Sequence, residues 1–224
     1  MTASNPDDRI DQIVAESLAA GDPTGWFERL YMEAERGEAT VPWDRASPHW
    51  SLVDWAERRN LTGAGRRALV VGCGLGDDAA FVSSLGFDTV AFDIAPTAVR
   101  AAQRRFPEAG VDYLVANLLD PPGEWTGGFD LVVESQTIQA LPVSLRLEAI
   151  ANVAGFVAPG GTLIVLAAAA PEGTDRGDDP PWPLTRSEVE RFASHGLLAV
   201  DISEIPVPGE PDIRRWSAQF RRPG

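Results

Sequence analysis

The feature that most constrains this chain is the stretch Arg67-Ala-Leu-Val-Val-Gly-Cys-Gly-Leu-Gly-Asp77, where an apolar run breaks into glycines at 72, 74 and 76. An apolar run of that length, flanked by turn residues, reads as a strand buried on both faces. The glycines let the chain turn into a helix and leave bare backbone against which a ligand can press. A second apolar run ends at Asp93, and a carboxylate on a neighbouring strand tip can hold the hydroxyls of a ribose. The pair points to an α/β fold that binds an adenosine-type cofactor.

The same alternation continues along the chain. Strands are predicted at 67–71, 89–93, 112–115, 129–133 and 161–168, with helices at 77–85, 96–106 and 144–157. Apolar runs alternating with helices require a parallel sheet covered on both sides, a Rossmann-like doubly wound α/β architecture. Gly160-Gly161 reads as the turn from helix into the fifth strand. Beyond a loop rich in Pro, Gly and Asp, residues 185–194 form a capped helix, with Ser187 and Glu190 also compatible with a capping box. Strands at about 198–205 and 213–221 are joined by a linker too short for a helical crossover, so the last pair must be an antiparallel hairpin. The expected sheet has seven strands, mostly parallel, with the last reversed. Ahead of it, helices at 6–20 and 23–36, an aromatic segment at 39–50 and a helix at 51–59 form an N-terminal helical lid. The division is a lid or substrate cap at 1–60 and a cofactor-binding core at 61–224.

Composition narrows the class. Apolar residues make up 44% of the 224, enough for a full core. No stretch is long and apolar enough for a membrane span, and the polar, acidic start lacks the pattern of a signal peptide. One cysteine, Cys73, rules out an internal disulfide and fits a reducing cytoplasm. The net charge of −14, with arginine as the sole basic residue apart from two histidines, would repel a phosphate backbone, so nucleic-acid partners are not expected.

The glycine spacing decides between nucleotides. The nicotinamide and flavin fingerprint G-x-G-x-x-G needs a third glycine where this chain has Asp77, and a pyrophosphate at this helix start would face both Asp77 and Asp78. The sulfonium of S-adenosylmethionine (AdoMet) meets no such repulsion. Residues 68–166 resemble the core of the class I AdoMet-dependent methyltransferases through ordered motifs: Gly72-Cys-Gly-Leu-Gly76, Asp93, Asn117, Phe129-Asp-Leu-Val132 and Pro159-Gly-Gly161. The terminal hairpin matches that family's reversed seventh strand. The resemblance implies AdoMet as cofactor and S-adenosylhomocysteine (AdoHcy) as product. Gly72 and Gly74 would lie against the methionine portion and Asp93 on the ribose. Asn117 and the Leu118 backbone would face the adenine, the Asn117 carbonyl replacing the family's more usual carboxylate.

The acceptor side carries weaker signals. The position after strand four reads Glu134-Ser-Gln-Thr-Ile138, which disfavours the amino-methylating class with its [ND]PP[FY] motif. Asp120-Pro-Pro-Gly123 follows strand three and lacks the aromatic. Asp175, Asp178 and Asp179 read as solvated loop charge, and no metal is expected. Trp26-Phe-Glu-Arg-Leu-Tyr31, Val41-Pro-Trp-Asp44, Pro48-His-Trp50, Gln139-Ala-Leu-Pro142 and Pro180-Pro-Trp182 resemble the thiopurine, thiol and halide methyltransferase group, whose lid aromatics cover the cofactor.

The resulting expectation is a cytoplasmic enzyme methylating a small molecule, a thiol or similar soft nucleophile first. A small-molecule O-methyltransferase of secondary metabolism, a nicotinamide-binding reductase and a non-catalytic AdoMet-binding protein are the alternatives. An oxygen acceptor would need a base, for which His49 and Glu134 are the candidates. Trp43 and Glu134 are expected on the cofactor, Trp43 through cation–π attraction to the sulfonium. His49, Trp50, Gln136, Gln139 and Trp182 are expected at the acceptor. Cys73 and His195 read as packing and helix-end residues.

Overall fold

The computed structural model describes residues 6–175, 177 and 180–224, with the side chains of 6–8 left aside. Asp178 and Asp179 of the acidic loop lie outside the described residues. Seven helices and seven strands follow one another as α1 (Pro6–Ala19), α2 (Gly25–Glu35), α3 (Trp50–Glu57), β1 (Arg67–Val71), α4 (Asp77–Ser84), β2 (Asp88–Asp93), α5 (Pro96–Arg105), β3 (Val111–Val115), β4 (Phe129–Ser135), α6 (Val143–Phe156), β5 (Val157–Ala168), α7 (Arg186–Glu190), β6 (Leu198–Val207) and β7 (Glu210–Arg221) among the described residues.

The strands form one sheet in the order β3-β2-β1-β4-β5-β7-β6. The β1–β2, β1–β4, β2–β3 and β4–β5 pairs are parallel, while β7 runs antiparallel to both β5 and β6. The order reverses between β1 and β4, and in open α/β sheets the crevice outside the strand C-termini at such a point is where ligands bind. Both faces are covered. Leu69 and Val71 of β1 pack with Val132, Val165, Ile150 and Val153 on one side. Their neighbours Ala68 and Val70 pack with Val82, Val99, Leu52 and Trp55 on the other. Successive side chains point to opposite faces, so a strand clad on both sides must be apolar throughout.

Several boundaries differ from expectation for identifiable reasons. β5 begins at Val157, and Gly160 lies within an irregularity of the β4–β5 pairing instead of ahead of the strand. The terminal strands reach further toward each other, leaving a tight connection at Pro208-Gly209. The helix after the acidic loop is α7 continued by a 3-10 turn over Arg191–His195, and its capping box joins Thr185 to Glu188, not Ser187 to Glu190. α3 packs against the sheet through Leu52, Trp55 and Ala56. α1 and α2 pack around Ile13, Val14, Trp26 and Leu30, with Ala39 and Trp43 against them. α2 is tied to α5 by the Glu28 carboxylate, which accepts from the Thr97 backbone N–H at 2.9 Å and its hydroxyl at 2.6 Å.

Candidate active site

A cavity of about 330 Å³ lies at the switch point, floored by the tips of β1, β2 and β4 and roofed by α2 and the Trp43 segment. That volume suits a small molecule, not a polymer. Gly72 and Gly74 adopt φ of 58° and 52°, left-handed values that glycine takes without steric cost. A Cβ on Gly72 would stand 2.3 Å from Thr137 Oγ1, and one on Gly74 would stand 3.0 Å from Tyr31 Oη. Bare backbone at these two turns is thus required both by conformation and by space.

Asp93 anchors the loop. One carboxylate oxygen accepts from the Gly74 N–H and the other from the Ala95 N–H, each at 2.9 Å. The side chain is buried at the cavity floor. Burial raises its pKa while the N–H groups of Ala95, Gly74 and Ile94 oppose the rise. Each oxygen keeps lone pairs for ribose hydroxyls, so the carboxylate fits the sugar of an adenosine cofactor without rearrangement.

Above the loop, the Trp43 indole N–H donates to Tyr31 Oη at 2.7 Å, with the rings edge-to-face. Both line the cavity. Burial, followed by the nearby Asp93 charge, pushes the Tyr31 phenol well above its ordinary pKa, so it stays neutral and retains a proton to donate. Tyr31 sits in a helix far from the glycine and acid motifs and is absent from the site residues read in the sequence; its place in a short aromatic run at helical spacing is the available signal. Asn117 and Leu118 line the adjoining wall. The Asn117 side-chain oxygen already accepts from the Leu119 N–H at 2.9 Å, so one lone pair of the carbonyl expected on an adenine is committed to a local turn.

The opposite wall contains His49, Gln136 and Gln139. His49 caps α3, its Nδ1 accepting from the Ser51 N–H at 3.3 Å, while its Nε2 is buried with no partner. With Nδ1 an acceptor, the proton of the neutral ring belongs on Nε2. Burial first, and then the charges of Arg45 and Arg215, lower the His49 pKa to about 4. The His49 backbone N–H donates at 2.6 Å to Asp78, a cavity-lining carboxylate whose own pKa is raised by burial. Gln139 Oε1 accepts from the Ala168 N–H at 2.5 Å, which leaves its amide N–H₂ as the remaining polar group. Gln136 has φ of 65°, a left-handed setting that costs a non-glycine residue about 1–2 kcal/mol.

Three expected residues lie outside the cavity walls. Glu134 is fully buried beneath the turn after β4, where one oxygen accepts from the N–H groups of Thr137 and Ile138 at 2.8 and 2.9 Å. Neighbouring positions on a strand face opposite ways, and it is Ser135, not Glu134, that reaches the cavity. Glu134, expected on the cofactor or as a base, therefore does not line the cavity. Trp50 stacks beside His49 at 5.8 Å without lining the space. Trp182 is packed inside, its indole N–H donating to the Gly177 carbonyl, and the adjacent Pro180 and Pro181 form the wall instead. Arg146, 2% exposed, holds this side together by donating to the carbonyls of Leu141 and Trp182 and to Glu188.

Residues 68–161 match the family model described as a methyltransferase domain. The chain is 28% identical to the 2-heptyl-1-hydroxyquinolin-4(1H)-one methyltransferase of Mycobacteroides abscessus, over 79% of this chain and 80% of the relative. It is 26% identical to the "Probable thiol methyltransferase 2" of Arabidopsis thaliana, over 85% and 88% respectively. Among solved structures, the Burkholderia thailandensis 1,6-didemethyltoxoflavin-N1-methyltransferase, with bound 1,6-didemethyltoxoflavin and S-adenosylhomocysteine, superposes with a TM-score of 0.66 at 14% identity, covering 100% of this chain and 93% of that one. With the glycine loop, the strand-tip acid and the sheet order in agreement with the match, residues 68–161 form a methyltransferase domain of the class I AdoMet-dependent kind.

Proposed function

We propose that this chain transfers a methyl group to a small-molecule acceptor, a thiol or similar soft nucleophile, by in-line displacement. The observation that carries the reading is one continuous cavity. It runs from Asp93 and the bare backbone of Gly72 and Gly74 to a wall made by His49 and Gln139 under an aromatic roof. Asp93 would hold the ribose, Asn117 and Leu118 the adenine edge, and Trp43 with Tyr31 would cover the methionine portion. AdoMet, when bound, supplies an electrophilic methyl carbon on a sulfonium, a leaving group that departs neutral. The chain's part is to align the acceptor behind that carbon and keep water out, which can supply about 7–11 kcal/mol without acid or base. A thiol suits such a site because it is partly ionised near neutral pH.

An oxygen acceptor is the second reading, favoured by the hydroxyquinolinone named for the mycobacterial relative. The site offers it no ready base, since His49 is neutral with Nδ1 engaged and Glu134 lies outside. Such an acceptor would have to arrive already ionised. The test is incubation with AdoMet and a panel of aryl thiols and acidic phenols, read by mass spectrometry for methylated product and AdoHcy. Product from a thiol supports the first reading and product from phenols alone supports the second. AdoHcy binding without turnover of either class would overturn both.

A further inference from the structure

Within a chain of net charge −14, the acceptor end of the cavity is lined by groups that donate hydrogen bonds. Arg45 and Arg215 both reach this wall. Arg215 projects from β7 and is half-buried, and its guanidinium has no hydrogen bond or ion pair among the described residues. The two cations lie close enough to act on His49 and on each other. His49 presents a buried, unpartnered Nε2, and Gln139 is left with only its amide N–H₂.

The carboxylates around this space are otherwise engaged. Asp44 and Asp77 pair with Arg105 at 3.0 and 3.4 Å, Asp78 accepts from the His49 backbone, and Asp93 from the glycine loop. Glu210 acts on Arg215 through space alone. Arg45 is exposed and feels Asp78 through space, as Arg215 feels Glu210, but no carboxylate among the described residues contacts either guanidinium, and two neighbouring cations left without a contact partner favour an anion bound between them. Leu141, Pro180 and Pro181 add apolar surface to the same cavity, beside the uncharged Ser47, Ser135 and Gln136.

We infer that the acceptor binds as an apolar organic anion, its charged atom held by the Gln139 amide N–H₂ and neutralised by Arg215 and Arg45. This rests on the methyl-transfer reading and specifies the substrate class for that same site. The acceptor loses its proton to solvent before it binds, which is why no base is needed in the cavity. Arg215 is on this view the residue that selects ionised acceptors over neutral ones of equal shape.

The test uses the AdoHcy-loaded protein with 4-nitrophenol, whose anion is coloured and which titrates near neutral pH, with 4-nitrothiophenol as a probe ionised throughout that range, and with 4-nitrotoluene as the non-ionisable isostere. Near neutral pH, bound 4-nitrophenol is expected to be more ionised than in buffer, with an apparent pKa lowered by at least about one unit. The isostere is expected to bind about tenfold or more weakly. Arg215→Gln should abolish the shift in probe ionisation and Arg215→Lys should restore part of it. AdoHcy affinity, measured on the same samples, separates the two levels of argument. Loss of AdoHcy binding in the unmodified protein defeats the methyl-transfer reading itself. Intact AdoHcy binding, with no binding of either anion, with equal affinity for the isostere, or with an unchanged shift in Arg215→Gln, overturns the anion inference alone.

Discussion

Replacing Glu134 by glutamine should make the protein progressively more stable than the parent as pH rises. The Glu134 side chain is fully buried, and its second oxygen has no partner. Burial raises its pKa from 4.5 to about 7 against the pull of the Ile138 and Thr137 N–H groups and Arg146. A carboxyl raised in the folded state is protonated in both states below pH 4.5, so nothing is lost there. Above that pH the unfolded chain ionises while the folded one does not, and stability drains until the pH passes about 7. At about 1.4 kcal/mol per unit, the full loss is about 3 kcal/mol, most of it between about pH 5 and pH 8. The glutamine of Glu134→Gln would keep the carbonyl that accepts from Thr137 and Ile138 but could not ionise. Other buried carboxylates titrate in both proteins and cancel in the difference. Denaturant unfolding of both proteins at several pH values measures it directly. Parallel stability curves across that range would refute the reasoning, because the carboxyl would then be ionised as easily inside as outside.

Further predictions concern the site. Asp93→Ala should weaken AdoHcy binding by about 2–4 kcal/mol, since two charge-assisted hydrogen bonds to ribose disappear; calorimetry giving an unchanged affinity would remove Asp93 from the cofactor site. Because the His49 pKa is lowered to about 4, the rate should show no histidine-like limb between about pH 5.5 and 7.5. A limb in that range that vanishes in His49→Gln would show that the ring titrates there after all. Gly72→Ala should cost about 1–3 kcal/mol of stability from the left-handed backbone alone, and more as Thr137 is displaced; an unchanged Tm would contradict the crowding at this turn.

The parts of the site written in contiguous sequence are legible. An apolar strand that dissolves into glycines and a strand-tip acid each follow from chemistry at neighbouring positions, and both Gly74 and Asp93 line the cavity. Glu134 is misplaced by sequence reading because strands buried on both faces are apolar throughout, which erases the alternation that would tell one side from the other. It lies one residue from Ser135, which does reach the cavity. Tyr31 and Arg215 escape for a different reason. Each comes to the cavity through the packing of a helix or strand against distant elements, and Arg215 arrives from the far end of the chain. Trp182 stands out in its motif, but the prolines beside it form the wall because the indole is needed to fill space underneath.

The placement of β7 between β5 and β6 has a consequence for biosynthesis. The cofactor half of the cavity comes from β1, β2 and β4, while the acceptor wall is completed by Arg215 of β7, near the end of the chain. Until β7 emerges, the outer edge of β5 from Thr162 to Ala168 stays open, a row of unpaired backbone groups on an apolar strand. A nascent chain can therefore assemble its nucleotide half first, while carrying an adhesive flank that only the final segment seals. A fragment ending at Ser194 is expected to pellet where the whole chain stays in solution, and a monodisperse fragment would show that something other than β7 protects that flank.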